Sequence, residues 1–173
     1  DAELKMFRAH QFENPVPFNP QILKGVSTAD PEYLAIISPD NEMCFFTRRF
    51  EYKSKDALTP SSVEKFMLSE FKNGEWTSGE QMPFPFNKQN SNNEGGPSIT
   101  IDNKHLFFTV NVKGNFDIYT SSFGEKGWSE PISVGEKVND KKQWDSQPSI
   151  APDGKTLYFA TFRDTVNYTS DIY

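Results

Sequence analysis

The chain of 173 residues contains very little of the chemistry that marks an enzyme. It has one cysteine, so no disulfide can form within it, and cysteine usage does not indicate a redox compartment. Its two histidines, His10 and His105, have no His or Cys neighbour at metal-ligand spacing. No Gly-x-Ser-x-Gly elbow and no glycine-rich phosphate loop before a helix occur. We therefore expect a protein that is not an enzyme and binds no cofactor or metal.

Charge and hydropathy argue against two further classes of partner. The formal net charge is −6, which disfavours a nucleic-acid-binding surface. No run of 18 apolar residues occurs, so we expect no membrane-spanning segment. Phenylalanine is abundant, with 16 residues, which suits β-strands. Cys44 lies within an apolar run and is predicted to be a small buried side chain, not a nucleophile.

One pattern occurs three times along the chain. The copies are Glu32 to Thr47, Glu94 to Thr109 and Asp145 to Ala160. Each opens with an acidic residue and reaches a turn aspartate eight positions later. Asn or Gly follows that aspartate, and because both tolerate the left-handed conformation, each pair predicts a tight hairpin turn. The turn aspartates are Asp40, Asp102 and Asp153.

The residues after each turn indicate how the copies pack. The runs Cys44-Phe45-Phe46, Leu106-Phe107-Phe108 and Leu157-Tyr158-Phe159 are apolar without alternation, which is typical of strands covered on both faces. We expect neighbouring copies to pack face to face through positions such as Phe45, Phe107 and Phe159. The copies recur about every 50 residues, and each predicts three to four short strands, as in a β-propeller blade. A β-sandwich with accidental internal similarity is the alternative.

The predicted fold is all-β, a partial β-propeller with a short helical lead-in. Residues 1–14 are predicted to end a preceding helical region, and residues 15–173 to form the propeller part. Within that part, residues 15–31 give a strand that completes another blade. The three blades are predicted at residues 32–83, 84–135 and, incomplete, 136–173. About 2.7 blades cannot close a ring of roughly 4 to 8, so we expect a fragment of a larger ring or an assembly of several chains.

Two segments depart from the repeat and are candidates for binding loops. Residues 51–65 are an insertion that lengthens the first copy, and Thr59 or Ser61 is predicted to cap a helix turn there. Residues 83–96, rich in Pro, Asn and Gly, are predicted to cross from the first blade to the second. Loops on rigid scaffolds often carry binding residues, although a solvated insertion is the simpler interpretation of residues 51–65.

The repeated polar and aromatic residues are predicted to be structural. Equivalent acids in successive blades lie apart around a ring, so they are expected to bond turns and strand edges, not to act as an acid–base pair. Besides the turn aspartates, these repeated residues are Asp117, Asp171, Trp76 and Trp128. Trp144 breaks the pattern just before the third copy. It is the single aromatic side chain that is a candidate for contact with a ligand or partner.

The turn segments resemble a known repeat. Ser38-Pro39-Asp40-Asn41 and Ala151-Pro152-Asp153-Gly154 look like the WD40-like PD40 repeat of TolB-type propellers. Ser170-Asp171-Ile172-Tyr173 and Trp128-Ser129-Glu130-Pro131 strengthen the match, which covers about residues 20 to 173. The second copy departs from the motif, because Ile101 stands where the motif has Pro.

A narrower resemblance suggests a cellular role. The stretches Asn14 to Pro20, Phe46 to Arg49 and Asn93 to Gly96 are similar to the propellers of multidomain OmpA-family cell-envelope proteins. The best-known members are peptidoglycan-associated components of the type IX secretion system. The resemblance implies a scaffold in the periplasm at the outer membrane, with envelope or secretion proteins as partners. Residues 1–14 would then end a tetratricopeptide-like domain, and peptidoglycan would be bound by a domain outside this chain.

Two other functions are compatible with the same sequence. PD40-type blades also resemble the propellers that gate prolyl-oligopeptidase-like peptidases, whose catalytic residues lie in a separate hydrolase domain. Alternatively, the chain belongs to a carbohydrate-binding propeller that uses Trp144. A Gly-x-Ser-x-Gly elbow in the surrounding sequence would indicate the peptidase, and an OmpA-like domain would indicate the scaffold.

Overall fold

A computed structural model describes residues 2–13, 19–52, 61–88, 93–164 and 169–173 of the chain. Within these residues, one helix, α1 (Ala2–Glu13), precedes three antiparallel sheets. The first sheet contains β1 (Glu32–Ile37), β2 (Met43–Tyr52), β3 (Ser61–Lys72), β4 (Glu75–Trp76) and β5 (Glu80–Gln81). The second contains β6 (Glu94–Ile99), β7 (His105–Val112), β8 (Asn115–Gly124), β9 (Gly127–Trp128) and β10 (Ile132–Ser133). The third contains β11 (Asp145–Ile150), β12 (Leu157–Asp164) and β13 (Thr169–Ile172).

Each sheet is a meander in which the strands follow one another in chain order. In the first two sheets the outer edge is split into two short pieces, β4 and β5 beside β3, and β9 and β10 beside β8. Short edge pieces of this kind limit unwanted pairing with other chains. The three antiparallel sheets confirm the predicted all-β class.

The hairpin turns obey the predicted backbone rule. Asn41, Asn103 and Gly154 have φ values of 61°, 60° and 66°. In the first sheet the Ser38 hydroxyl donates to the turn aspartate Asp40 at 2.5 Å, and Thr100 does the same for Asp102. The third copy has Ala151 at that position, and there Thr156 donates to Asp153 from the other side of the turn at 3.2 Å. The hydroxyl that bonds the turn aspartate thus comes from a different position in the third copy, whereas the backbone geometry of the turn is the same in all three.

The first strand of each sheet contains a β-bulge that the sequence did not predict. The pairing register shifts after Tyr33, after Gly95 and after Ser146. The next residue is left-handed each time, with φ of 52° at Leu34, 59° at Gly96 and 52° at Gln147. Leu and Gln rarely adopt this conformation, which is strained for them and is found mostly where a neighbouring structure enforces it.

The main hydrophobic core lies between the first and second sheets. Phe45 and Phe66 of the first sheet pack against Leu106, Phe108 and Val110 of the second. Phe86, from the segment that joins the two sheets, fills the centre, with ring centroids 5.5 Å from Phe66 and 5.3 Å from Phe108. The opposite face of the first sheet carries a smaller cluster of Cys44, Phe46, Met67 and Val26.

The apolar runs are covered to different degrees in the three sheets. Cys44, Phe45 and Phe46 are all fully buried, so the prediction of cover on both faces is confirmed for the first sheet. In the second sheet Phe107 is only half-buried, and it is Leu106 and Phe108 that enter the shared core. Phe159 is buried, but it aligns with Phe46 and Phe108 and so faces the preceding sheet, not the following one. The predicted set therefore mixed residues from two faces, because side chains alternate along a strand.

Three segments outside the regular repeat differ from expectation. Residues 19–31 form no strand; they turn at residues 24–26 and bury Val26 against the first sheet. Ser61 caps no helix turn but lies in β3 opposite Tyr52, because the insertion lengthens the β2–β3 hairpin. Thr59 lies outside the described residues. Met6 and Phe12 of α1 are largely exposed, and the assignment of this helix to a preceding domain stays a prediction.

Candidate functional site

The acid that opens each copy holds the segment that leads into its sheet. Glu32 accepts hydrogen bonds from the Thr28 amide at 3.2 Å and from the Thr28 hydroxyl at 2.5 Å. Glu94 accepts from the Asn87 amide at 2.6 Å, and Asp145 from the Asp140 amide at 2.6 Å. Asp145 is fully buried and Glu94 nearly so. These acids therefore have a structural role, because their carboxylates are already hydrogen-bonded to the segments that lead into the sheets.

Two arginines reinforce the same connection from different strand positions. Arg48 Nε bonds Glu32 at 2.8 Å, and its Nη2 donates to the Val26 carbonyl at 2.8 Å. Arg163 Nη2 bonds Asp145 at 3.0 Å and donates to the Val138 carbonyl. In register, Arg48 aligns with Thr161, two residues before Arg163. Each guanidinium thus joins an opening acid to the backbone of the preceding segment.

Asparagines in the segments between sheets act like an additional strand residue. Asn139 Oδ1 accepts from the Ile118 amide at 2.8 Å, and its Nδ2 donates to the Ile118 carbonyl at 2.8 Å. Asn87 makes the same pair of bonds with Phe66, at 2.9 and 2.8 Å. Sequence reasoning missed this pair, although the two asparagines have the 52-residue spacing that separates Trp76 from Trp128.

Threonine hydroxyls join one sheet to the next. Thr47 Oγ1 accepts from the Gly96 amide at 2.9 Å, and Thr109 Oγ1 accepts from the Gln147 amide at 3.1 Å. Both amides belong to the left-handed bulge residues. A Cβ on Gly95 would lie 2.0 Å from Thr47 Oγ1, so only glycine permits this approach. The bulges are therefore the points where neighbouring sheets are joined.

The turn aspartates are hydrogen-bonded within and between the turns. Asp40 accepts from Asn103 Nδ2 at 2.6 Å, which links the first and second turns, and the bond from Ser38 lowers the pKa of its carboxyl. Bonds from Thr100 and the Lys104 amide lower the pKa of Asp102, and bonds from the Lys155 and Thr156 amides lower that of Asp153. The structure does not bring these acids together.

The remaining repeated residues lie on strands. Burial and the nearby Asp145 carboxylate raise the pKa of Asp117, which accepts from Asn115 at 3.2 Å. Asp171 is exposed on β13. Trp76 and Trp128 each pack on the Phe five residues before them, with ring centroids 5.2 and 5.1 Å apart. Trp128 also packs against the main core, and Trp76 against the smaller cluster.

A pocket of about 310 Å³ spans all three sheets, at the end opposite the hairpin turns. The bulge residues Leu34, Gly96 and Gln147 line it, and so do Thr47 and Thr109. Most of its other side chains differ from copy to copy. These are Tyr33, Glu64, Asn93, Phe116, Trp144 and Ser146, and the repeated opening acid Glu94 also lines the pocket. The lining thus combines repeated scaffold residues with side chains that differ between the copies, and the differing side chains make this pocket the candidate functional site.

Trp144, the candidate for a contact with a ligand or partner, lines this pocket. Its indole stacks on Phe162, with centroids 6.0 Å apart and an interplanar angle of 22°. On the opposite side, the Tyr33 hydroxyl donates to the Glu64 carboxylate. Burial, this bond and the Glu64 charge raise the pKa of Tyr33, although Arg49 opposes the shift. Tyr33 is therefore a neutral hydrogen-bond donor at physiological pH.

The described residues contain no group of three His, Cys, Asp or Glu side chains placed to hold a metal ion. The helix that they include is too short and too polar to cross a membrane.

The chain matches no protein-family model and no curated protein. Among solved structures it is similar to the crystal structure of TolB from Acinetobacter baumannii, with a TM-score of 0.52. The chain shares its fold with TolB. Sequence identity is 20%, and the alignment covers 86% of this chain but 30% of the TolB chain. The TolB part of the predicted resemblance is thus confirmed for the fold, and the OmpA-family and type IX secretion parts stay predictions.

Proposed function

We propose that the three sheets are blades of a larger β-propeller and that the chain is a non-catalytic, protein-binding scaffold. The TolB-like fold supports the blade assignment. The packing supports it too, because Phe45 of the first sheet is buried by the second, whereas Tyr158, its counterpart in the third, is 51% exposed. Ile172 of the third sheet is 80% exposed. A further blade would cover this face as the second sheet covers the first.

The observation that carries the binding function is that the pocket presents several side chains that differ between the copies. A propeller that served only as a spacer would need the ties between blades but not a differentiated cavity across three of them. Propellers present such sites at the ends of rigid blades, where side chains vary without disturbing the core. The partner is therefore expected at the pocket end of the blades, not at the hairpin-turn end.

We further propose that the scaffold works in the bacterial cell envelope, in the periplasm at the outer membrane. The PD40-like motifs and the stretches similar to OmpA-family envelope proteins support this location. On the same basis the whole protein would be a component of type IX secretion, attached to peptidoglycan through a domain outside this chain.

Site-directed photocrosslinking in the full protein, expressed in its own cells, tests the scaffold function. A photoreactive phenylalanine replaces Gln147, which is exposed at the pocket. The matched control replaces Asp153, which is exposed at the opposite end. We expect defined adducts with one or a few envelope proteins from position 147 and none from position 153. Equal or absent crosslinking at the two positions would refute the assignment of the partner surface.

Carbohydrate binding is the second candidate, and the place of Trp144 favours it. Aromatic rings stack on sugars, and Asn93, Ser146 and Gln147 offer polar groups around this ring. Titration with soluble peptidoglycan fragments, followed by tryptophan fluorescence, tests it. A response that Trp144→Phe abolishes would support a sugar site, and no response would remove this candidate.

A further inference from the structure

The ionisable side chains that line the pocket, among the described residues, are all acidic. Glu64 and Glu94 line it, together with the weak acid Tyr33, and no Lys, Arg or His is found in the part of its lining that the structure describes. Glu94 is 5% exposed and already accepts amides of the preceding segment at 2.6 and 3.3 Å. Glu64 is half-buried, so a ligand in the pocket would meet its carboxylate first.

One basic residue lies near the pocket without lining it. Arg49 is the strand partner of Glu64, and its charge acts on Tyr33. No ion pair joins Arg49 to Glu64 among the described side chains, and Arg49 Nε is buried without a hydrogen-bond partner. Within the pocket, the partner of Glu64 is the neutral Tyr33 hydroxyl. Among the described residues, no cation forms an ion pair with this negative charge.

Aromatic rings line the same pocket as the Glu64 carboxylate. Tyr33, Phe116 and Trp144 line the same pocket. Phe116 occupies the position in the second copy that Glu64 holds in the first, so acid and ring come from equivalent points of neighbouring sheets. A cation over an aromatic face is attracted by the ring quadrupole, most strongly over tryptophan. Carboxylate and rings together favour an organic cation.

We propose that the pocket binds the basic side chain, lysine or arginine, of a partner polypeptide. This inference rests on the proposed scaffold function and specifies the chemistry of the partner. An acidic group would face the Glu64 carboxylate with no cation to balance it among the lining residues that the structure describes. An apolar group would strip water from the carboxylate without replacing its hydrogen bonds, which is unfavourable. A volume of about 310 Å³ is at the lower limit for ligand pockets, which suits one long side chain with its adjoining backbone.

Blocked tripeptides with one central residue between glycines test the proposal. The central residues are Lys, Arg, Gln and Glu, and binding is followed by the NMR signal of the Trp144 indole N–H, assigned by its loss in Trp144→Phe. The decisive variant is Glu64→Gln, which retains shape and the bond from Tyr33 but removes the charge. Glu75→Gln, on exposed β4, is the matched control.

We expect the Lys and Arg tripeptides to bind the native protein and Glu75→Gln alike, and Glu64→Gln about tenfold more weakly. The difference should shrink as salt is added, because it is electrostatic. Equal shifts by the Gln and Lys tripeptides, or an unchanged affinity in a folded Glu64→Gln, would overturn the proposal. Failure of the tripeptide test would not affect the crosslinks expected from position 147. If the Lys tripeptide bound but position 147 gave no crosslinks, the scaffold function would be refuted, whereas the assignment of the pocket to a basic side chain would stand.

Discussion

Replacing Thr47 by valine tests the tie between the first two sheets. Thr47 is 2% exposed, and its Oγ1 is the acceptor for the Gly96 amide at 2.9 Å. Valine matches threonine in shape but has no acceptor. The backbone cannot readily move to a new partner, because the space beside Gly95 is already filled by Thr47 itself. The Gly96 amide would therefore remain buried and unsatisfied.

The size of the effect follows from that unsatisfied amide. Leaving a buried donor without a partner costs about 1–3 kcal/mol, so we expect a loss of about 2 kcal/mol in the free energy of unfolding. For a chain of this length such a loss lowers the melting temperature by about 4–8 °C. Thr47→Ser retains the hydroxyl and should recover most of the loss.

Urea unfolding at equilibrium measures the change, with the slope of the transition expected to stay constant. Thr109→Val is the matched control. Its hydroxyl bonds the Gln147 amide at 3.1 Å, and Gln147 is an exposed residue, so water can replace the bond there. The loss at position 109 should be the smaller of the two. If Thr47→Val unfolds at the native urea concentration, or is no worse than Thr109→Val, the hydroxyl tie does not stabilise the contact between sheets.

Three further predictions concern other parts of the scaffold. Asn139→Asp can no longer donate to the Ile118 carbonyl and places a charge at a buried site, so it should lower the free energy of unfolding by about 2–4 kcal/mol, measured in urea. A stability equal to that of the native chain would show that the amide pair is dispensable. Cys44 is fully buried, and burial raises the pKa of its thiol, so Ellman's reagent should label it only after unfolding; rapid labelling of the native protein would contradict the packing of the first sheet. The pKa of Asp153 is lowered in the folded chain by the Lys155 and Thr156 amides, so its contribution is present above pH 4 and is lost as the pH falls through the lower folded value. Asp153→Asn should therefore lower the melting temperature more at pH 7 than at pH 2, and an equal difference at both values would exclude this linkage.

The sequence indicated the scaffold because the scaffold repeats. Spacing alone located the turns at Asp40, Asp102 and Asp153, and the identity of the following residue indicated their left-handed backbone, which the structure confirms. The predicted cover on both faces also held where a neighbouring sheet is present, as at Phe45. Local rules of turn chemistry and side-chain periodicity are sufficient for these features.

The pocket could be predicted only in part. Trp144 was singled out because it breaks the repeat, and the structure places it in the cavity. Tyr33 and Glu64 gave no signal, since their meeting depends on how β1 and β3 flank β2 in three dimensions. The left-handed conformation of Leu34 and Gln147 was equally invisible, because neither residue type favours it. Tertiary packing enforces the left-handed conformation at these two residues, although the intrinsic preference of leucine and glutamine is against it.

The two arginines that hold the incoming segments have a consequence for repeat engineering. Arg48 and Arg163 make equivalent bonds from positions two residues apart on a strand, and the second copy has valines, Val110 and Val112, at both positions. A consensus blade takes the commonest residue at each aligned position. Because Arg48 and Arg163 lie at different aligned positions, arginine would be the commonest residue at neither, and the consensus blade would lack the bond to the incoming segment. An idealised array built from this chain should therefore graft the guanidinium together with its acid and its valine carbonyl, as one three-part unit.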